Sequence, residues 1–271
     1  MNQAVPFLSS DMKLLKVISL LLDYPTAELF QDNVLENCRK IVLDSKLISS
    51  DVRQMISCHI DDLQSLGELE AQAVYDSLFE RGRLLSLWLF EHIHGESRDR
   101  GQAMVDLLEQ YHKAGFEIGV KELPDYLPLY LEFLAYQAVN TGDDVQIRMD
   151  LADISHIVAL LGARLKEKDN PYLGYFYALL QIAGKPLTAV DEHLLKVSEE
   201  TNDTTLDAID QEWEEEMVSF LGAEQENCPS SQTQQRIATL QAQKSQEQIA
   251  VPVHWVDFNK PKTSQLKGAM S

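Results

Sequence analysis

The 271 residues carry 43 acids against 23 Lys and Arg, a formal net charge of -20, with an isoelectric point near 4.6. That balance excludes direct binding to nucleic-acid phosphates or an anionic membrane surface, since both need an excess of cations, and it favours a basic partner segment. Hydrophobic residues make up 45%, enough for a sizeable core without disulfides or metal. Cys38, Cys58 and Cys228 stand far apart with no CxxC pair, so neither a disulfide framework nor a zinc site is expected, and a reducing compartment fits. No stretch reaches the roughly 18 apolar residues of a transmembrane helix. The run Leu14 to Leu22 is broken by Lys16 and Ser19 and lacks a cleavage site after it, so the expectation is a soluble, cytoplasmic protein.

Ser10 or Asp11 can cap a first helix with the stripe Leu14, Leu15, Ile18, Leu21 and Leu22, stopped by Tyr24-Pro25. Thr26 caps a second, with Leu29, Phe30 and Val34 as its inner face. Ser50 opens a third in which Ile56, Ile60 and Leu63 recur at helical spacing, and Gly67 ends it. A fourth piece, Leu69 to Phe79, leads to Leu84–Ile93, which is apolar on nearly every side (Leu84, Leu85, Leu87, Trp88, Leu89, Phe90) and therefore predicts a helix in the middle of a bundle. Beyond Gly95, Ser97 caps an amphipathic helix reading Met104, Leu107, Leu108 and Tyr111, closed by Gly115.

The segment Leu123-Pro124-Asp125-Tyr126-Leu127-Pro128 predicts a rigid turn, because each proline fixes φ and the second can occupy the first turn of a helix. That helix carries Leu129, Tyr130, Phe133 and Leu134, with Glu132 among them. Gly142, Asp143 and Asp144 read as a loop, and Ile154, Ile157, Leu160, Leu161 and Leu165 as a further stripe. Asn170-Pro171 opens a helix of Tyr172, Tyr175, Phe176, Leu179 and Leu180 that Gly184 ends, and Leu206, Ile209, Trp213, Met217 and Phe220 mark a last one. With no sustained alternation anywhere, the expected fold is all-α: a single-domain helical bundle over residues 1–221, followed at 222–271 by a disordered acidic and Gln-rich tail.

From Val197 to Gln235 there is no Lys or Arg, and the acids there read either as a solvated face or as an attractor for a basic client. Within the tail, Val251–Phe258 is either a docking segment or a chance aromatic cluster. His92 and His94 lie two apart at a helix end and point in different directions. With Glu91, Asp99 and Asp153 they leave a helical metal-dependent hydrolase as an alternative, although no HExxH or phosphate-binding glycine loop is present. The cluster Arg81, Arg83, Arg98, Asp99 and Arg100 either ties helix ends, through Arg81 and Arg98, or meets a client; Trp88 is either core or client contact. Ser86 and Ser97 have no His and acid partners in view, so no catalytic residue is expected. Asp125, Tyr126, Leu129, Tyr130, Glu132 and Phe133, beside the rigid turn, suit a groove for an amphipathic helix, with apolar anchors and carboxylates for its Lys or Arg. Asp125 as a plain N-cap is the rival reading.

The run FERGRLLSLWLFEHIHGESRDRGQAMVDLL from Phe79, together with ELPDYLPLYLEFL, resembles the NarJ family, the assembly chaperones of respiratory nitrate reductase within the wider TorD/DmsD group of molybdoenzyme chaperones. The similarity is long over Phe79–Phe133, fainter over Met12–Pro25 and Asp150–Leu221, and absent from the last fifty residues. Where TorD and DmsD branches carry an acid followed by His, this chain has Asp125-Tyr126, the NarJ form, so reading of an intact twin-arginine signal is not implied. The resemblance implies a cytoplasmic chaperone without catalytic activity, metal or cofactor of its own. Its client would be the apo catalytic subunit of a membrane-bound nitrate reductase, held by its N-terminal segment while molybdenum cofactor and an iron–sulfur cluster are inserted. The chaperone then leaves and is not part of the final enzyme. Asp125, Tyr126, Leu129, Tyr130, Glu132, Phe133, Trp88 and Arg98 would form the client site. A general helical adaptor for some other basic partner is a third reading.

Overall fold

The computed structural model describes residues 12–94, 98–119 and 122–198, with the backbone alone at 94, 98, 195 and 196. These residues belong to one compact unit. Among them are eleven α-helices and no strand: α1 (Lys13–Leu22), α2 (Val34–Asp44), α3 (Ser50–Leu66), α4 (Glu68–Tyr75), α5 (Glu91–His94), α6 (Arg98–Lys113), α7 (Leu127–Thr141), α8 (Asp144–Asp153), α9 (Ser155–Glu167), α10 (Leu173–Ile182) and α11 (Thr188–Val197). The described part of the chain is all-α, as the helical periodicity requires.

The stripe on α1 is buried as expected, Leu14, Leu15, Ile18, Leu21 and Leu22 all lying in the core, and each such leucine contributes about 1.5–3 kcal/mol relative to exposure. It packs mainly along α7, with α2 on its flank. Helix α3 opens at Ser50 as expected, with Ser49 as its N-cap: the Ser49 Oγ accepts the Val52 N–H at 3.4 Å. It ends at Gly67, whose φ of +76° favours a residue without Cβ. A second glycine sets helix spacing: a Cβ on Gly174 would lie 3.1 Å from Met55 Cβ and 3.2 Å from Ile56 Cγ1, so α10 and α3 approach as closely as backbone permits. Helix α9 packs against α10 and α11.

Four expectations need correction. Leu84–Ile93 is not a helix: apart from the short α5 at its end, the segment is extended and turned. Leu85, Leu87 and Leu89 are buried while Trp88 and Phe90 between and beside them are half-buried. A strand-like segment enclosed on both sides shows the same continuous apolar run as a helix enclosed all round. The second helix is split, since Ala27–Phe30 form a 3₁₀ turn and α2 starts only after Asp32 and Asn33 take left-handed φ values of 51° and 57°. The loop at 142–144 is one residue shorter than expected: Asp144 already belongs to α8, which Asp143 caps, its carboxylate accepting the Gln146 N–H at 3.0 Å. Asp125 is not an N-cap, because Tyr126 holds that position on α7. Helices α8 and α11 had no counterpart among the stripes. The caps at Ser10, Asp11 and Ser97, the acidic run from Glu199, the helix over 206–220, Val251–Phe258 and the boundary at 221 lie outside the described residues.

Candidate functional site

The extended piece Leu85–Phe90 lies against the turn Leu123–Leu127, and this junction is the centre of the site. Pro128 sits in the first turn of α7, where its missing N–H is not needed. The two segments pair through an isolated antiparallel bridge between Trp88 and Tyr126. The Leu89 N–H donates to Asp125 O at 3.0 Å and the Leu127 N–H to Leu87 O at 2.8 Å. Two side chains from other helices brace the junction: Tyr111 Oη donates to Pro124 O at 2.7 Å, and Arg164 Nη1 donates to Leu84 O at 2.6 Å.

Asp125 lies inside this clasp, with 0% of its surface exposed. Its Oδ2 accepts the Phe90 N–H at 3.1 Å. Arg100 Nη2 stands 4.0 Å from the same oxygen and 3.3 Å from Glu91 Oε1. Ser86 Oγ donates to Glu91 Oε2, and His92 Nε2 is 2.8 Å from Ser86 O. Burial pushes the Asp125 carboxyl up, opposed by the Phe90 N–H and the Arg100 guanidinium. Asp125 Oδ1 and Arg100 Nε are buried with no hydrogen-bond partner among the described residues.

Tyr126 turns away from the clasp. Its hydroxyl donates to Asp23 Oδ1 at 3.0 Å. Tyr75 Oη lies 2.9 Å from Tyr126 Oη and 3.1 Å from Leu22 O, so its single proton is shared between them. The rings of Trp88 and Tyr126, 5.9 Å apart, wall a cleft of about 410 Å³ whose other lining residues are Asp23, Tyr24, Asp76, Glu80 and Glu122. Among the described residues, four carboxylates and three aromatics thus line the cleft with no cation beside them. Burial, and then the negative charges of Asp76 and Glu122, push the Glu80 carboxyl up. Trp88 Nε1 is buried without an acceptor among the described residues. Chemically, the cleft suits a guanidinium or ammonium group, which carboxylates pair with and aromatic faces attract.

Of the residues expected at a client site, the structure brings Trp88, Asp125 and Tyr126 together. Leu129 and Phe133 are buried, Phe133 against Tyr111 with ring centres 4.4 Å apart. Tyr130 is half-buried and donates to Asp150 O at 3.3 Å, tying α7 to α8. Glu132 pairs with Lys16 across the α1–α7 seam. The Arg98 side chain lies outside the described residues, and it is Arg100 that links the junction. Sequence reasoning missed Asp23, Tyr24, Tyr75, Asp76, Glu80 and Glu122. Asp76 and Glu80 do stand at i, i+4 at the end of an apolar helical run, and Glu122 opens the quoted ELPDYLP run, but nothing linear joins them to Asp23. Among the described residues no three His, Cys, Asp or Glu side chains are grouped to hold a metal ion.

Residues 45–178 match the family model described as nitrate reductase delta subunit. Over 220 residues the chain is 44% identical to a probable nitrate reductase molybdenum cofactor assembly chaperone, NarW, of Escherichia coli K12, covering 81% of this chain and 89% of the relative. The chain belongs to the NarJ family. The nitrate reductase molybdenum cofactor assembly chaperone NarJ of the same bacterium is 43% identical over 209 residues, 76% of this chain and 84% of that one. A probable NarJ of Bacillus subtilis is 32% identical over 106 residues, 39% and 55% of the two chains. The family match spans the whole clasp and every cleft residue except Asp23 and Tyr24, so this NarJ-family chain completes its cleft with the end of α1. Among the described residues no helix is long and apolar enough to cross a membrane.

Proposed function

We propose that this chain is a cytoplasmic chaperone, not an enzyme, that binds the apo catalytic subunit of a respiratory nitrate reductase through a segment near the client's N-terminus. It holds the client competent for insertion of molybdenum cofactor and an iron–sulfur cluster, and leaves before the client docks on its membrane subunit. The observation that carries the reading to a site is the acidic, aromatic-walled cleft of Asp23, Asp76, Glu80, Glu122, Tyr24, Trp88 and Tyr126. The names borne by its relatives support the choice of client.

A Lys or Arg of the client enters this cleft, where it neutralises carboxylates that repel one another. Asp125 works from inside, holding Trp88 and Tyr126 in register. Preference for the apo client requires that the segment be accessible only before assembly, since a ligand shifts an equilibrium only by its difference in affinity for the two states. The names borne by the relatives favour the chaperone reading over the hydrolase alternative.

Calorimetric titration of the full chain with a peptide covering the N-terminus of a nitrate reductase catalytic subunit tests the reading. Saturable binding that weakens with salt and drops roughly tenfold, about 1.4 kcal/mol, in an Asp76→Asn, Glu80→Gln variant supports it. Absence of binding by the wild type at low salt overturns it.

A further inference from the structure

A second concavity, of about 310 Å³, runs between α1 and α2, lined by Lys13, Lys16, Val17 and Leu20 of the first helix and Val34, Asn37, Cys38 and Ile41 of the second. Val17 and Cys38 are buried, while Leu20, Val34 and Ile41 are half-buried. The groove is therefore apolar along its length, with two ammonium groups at one end. That polarity stands out in a chain of net charge -20.

The groove and the acidic cleft share a helix. Lys13, Lys16, Val17, Leu20 and Asp23 recur at spacings of three and four, which places them on one face of α1. Lys13 and Lys16 line the groove from the start of α1, Leu20 is the last α1 residue to line it, and Asp23 with Tyr24 line the cleft. At ~1.5 Å per residue the distance along α1 from Lys13 to Asp23 is about 15 Å, close to three helical turns. Lys16 is half-exposed and, among the described residues, paired with the half-exposed Glu132 across the seam to α7. Such an exposed pair contributes little, so Lys16 can exchange partners at small cost.

Resting on the function proposed above, we infer that groove and cleft form one tract that reads the order of charges along an amphipathic helix of the client. The client's basic residue enters the cleft, its apolar face lies on Val17, Leu20, Val34 and Ile41, and an acidic residue roughly seven to ten positions from the basic one meets Lys16 and Lys13. The charges at the two ends have opposite sign, so a helix laid in reverse sets its acid against four carboxylates and its base against two lysines. The tract thus fixes the direction as well as the position of the bound segment.

The test uses the full chain and the catalytic-subunit peptide, followed by fluorescence anisotropy, with a second peptide whose acidic residue is replaced by Lys. The variant Lys13→Glu, Lys16→Glu changes one half-buried and one exposed side chain and gives up the Lys16–Glu132 pair, so its fold is verified by its melting curve. Its expected result is a roughly fivefold loss of affinity for the first peptide and recovery with the second. Leu20→Gln, shown folded by its melting curve, is expected to weaken both peptides alike. If the wild type fails to bind the first peptide, the proposed function itself fails. If the wild type binds and Glu80→Gln weakens it, while the lysine reversal and Leu20→Gln both stay within twofold of wild type, the tract is wrong and the function stands. Loss without recovery by the second peptide overturns the charge order. Sedimentation equilibrium showing a dimer that Leu20→Gln dissociates overturns the assignment of occupant in favour of a second copy of this chain.

Discussion

Asp125 Oδ2 accepts the backbone N–H of Phe90 at 3.1 Å, across 35 residues of chain. This single contact gives the buried end of the extended segment a charged acceptor where no helix or sheet supplies one. It also separates Asp125, which never reaches solvent, from the carboxylates of the cleft.

Asp125→Ala removes the carboxylate to which the Phe90 N–H donates and leaves Arg100 with Glu91, at 3.3 Å, in place of two carboxylates. The expected cost is about 2–4 kcal/mol in denaturant unfolding, well above that of Asp125→Asn, which keeps an acceptor oxygen. Equal losses for the two variants would mean that the Phe90 contact contributes nothing.

Glu80→Gln should move stability and binding in opposite directions. In the folded chain the Glu80 carboxyl is pushed above its ordinary range, first by burial and then by Asp76 and Glu122. A folded value above the unfolded one means that stability is lost as pH rises and the group ionises. The glutamine variant therefore gains stability over wild type, and the gap widens from pH 4 to pH 7, while affinity for the cationic peptide falls. Paired thermal melts and titrations at the two pH values check this; a variant that melts lower at pH 7 contradicts it.

His59 gives the opposite pH dependence. It is 3% exposed, its Nδ1 lies 2.8 Å from Tyr175 Oη, and its ring packs 4.3 Å from that of Tyr172. Burial lowers its pKa to about 4. A folded value below the unfolded one means that its neutral form costs nothing above pH ~6.5, and that stability drains as pH falls from there towards 4, by up to roughly 3 kcal/mol. His59→Gln removes that component, so the stability difference between wild type and variant should shift with pH across this window. A difference that is constant between pH 7 and 4.5 would show that His59 does not titrate differently on folding.

Gly174→Val forces two methyl groups into the contact between α10 and α3, where even a Cβ meets Met55 Cβ at 3.1 Å. Overpacking of this kind costs about 1–3 kcal/mol. Urea unfolding measures it, and a variant as stable as wild type would mean that the two helices can separate without loss.

The sequence by itself determined the helical character and the local punctuation. The stripes of α1, α3, α6, α7, α9 and α10, the stop at Gly67 and the proline-fixed turn at 124–128 each depend on residues within a turn or two of one another, so local spacing suffices to specify them. Family membership was legible for the same reason, since the run from Phe79 and the ELPDYLP turn are continuous stretches. Tertiary structure alone decided what those stretches do. Whether Leu84–Phe90 is helix or extended depends on which group takes its N–H and C=O bonds, and the takers, Asp125, Leu127 and Arg164, come from elsewhere in the chain. The cleft likewise gathers Asp23, Asp76, Glu80, Trp88 and Glu122 from four separate segments. Four carboxylates acquire a common purpose only when folding brings their charges within range of one another, and no spacing along the chain encodes that distance.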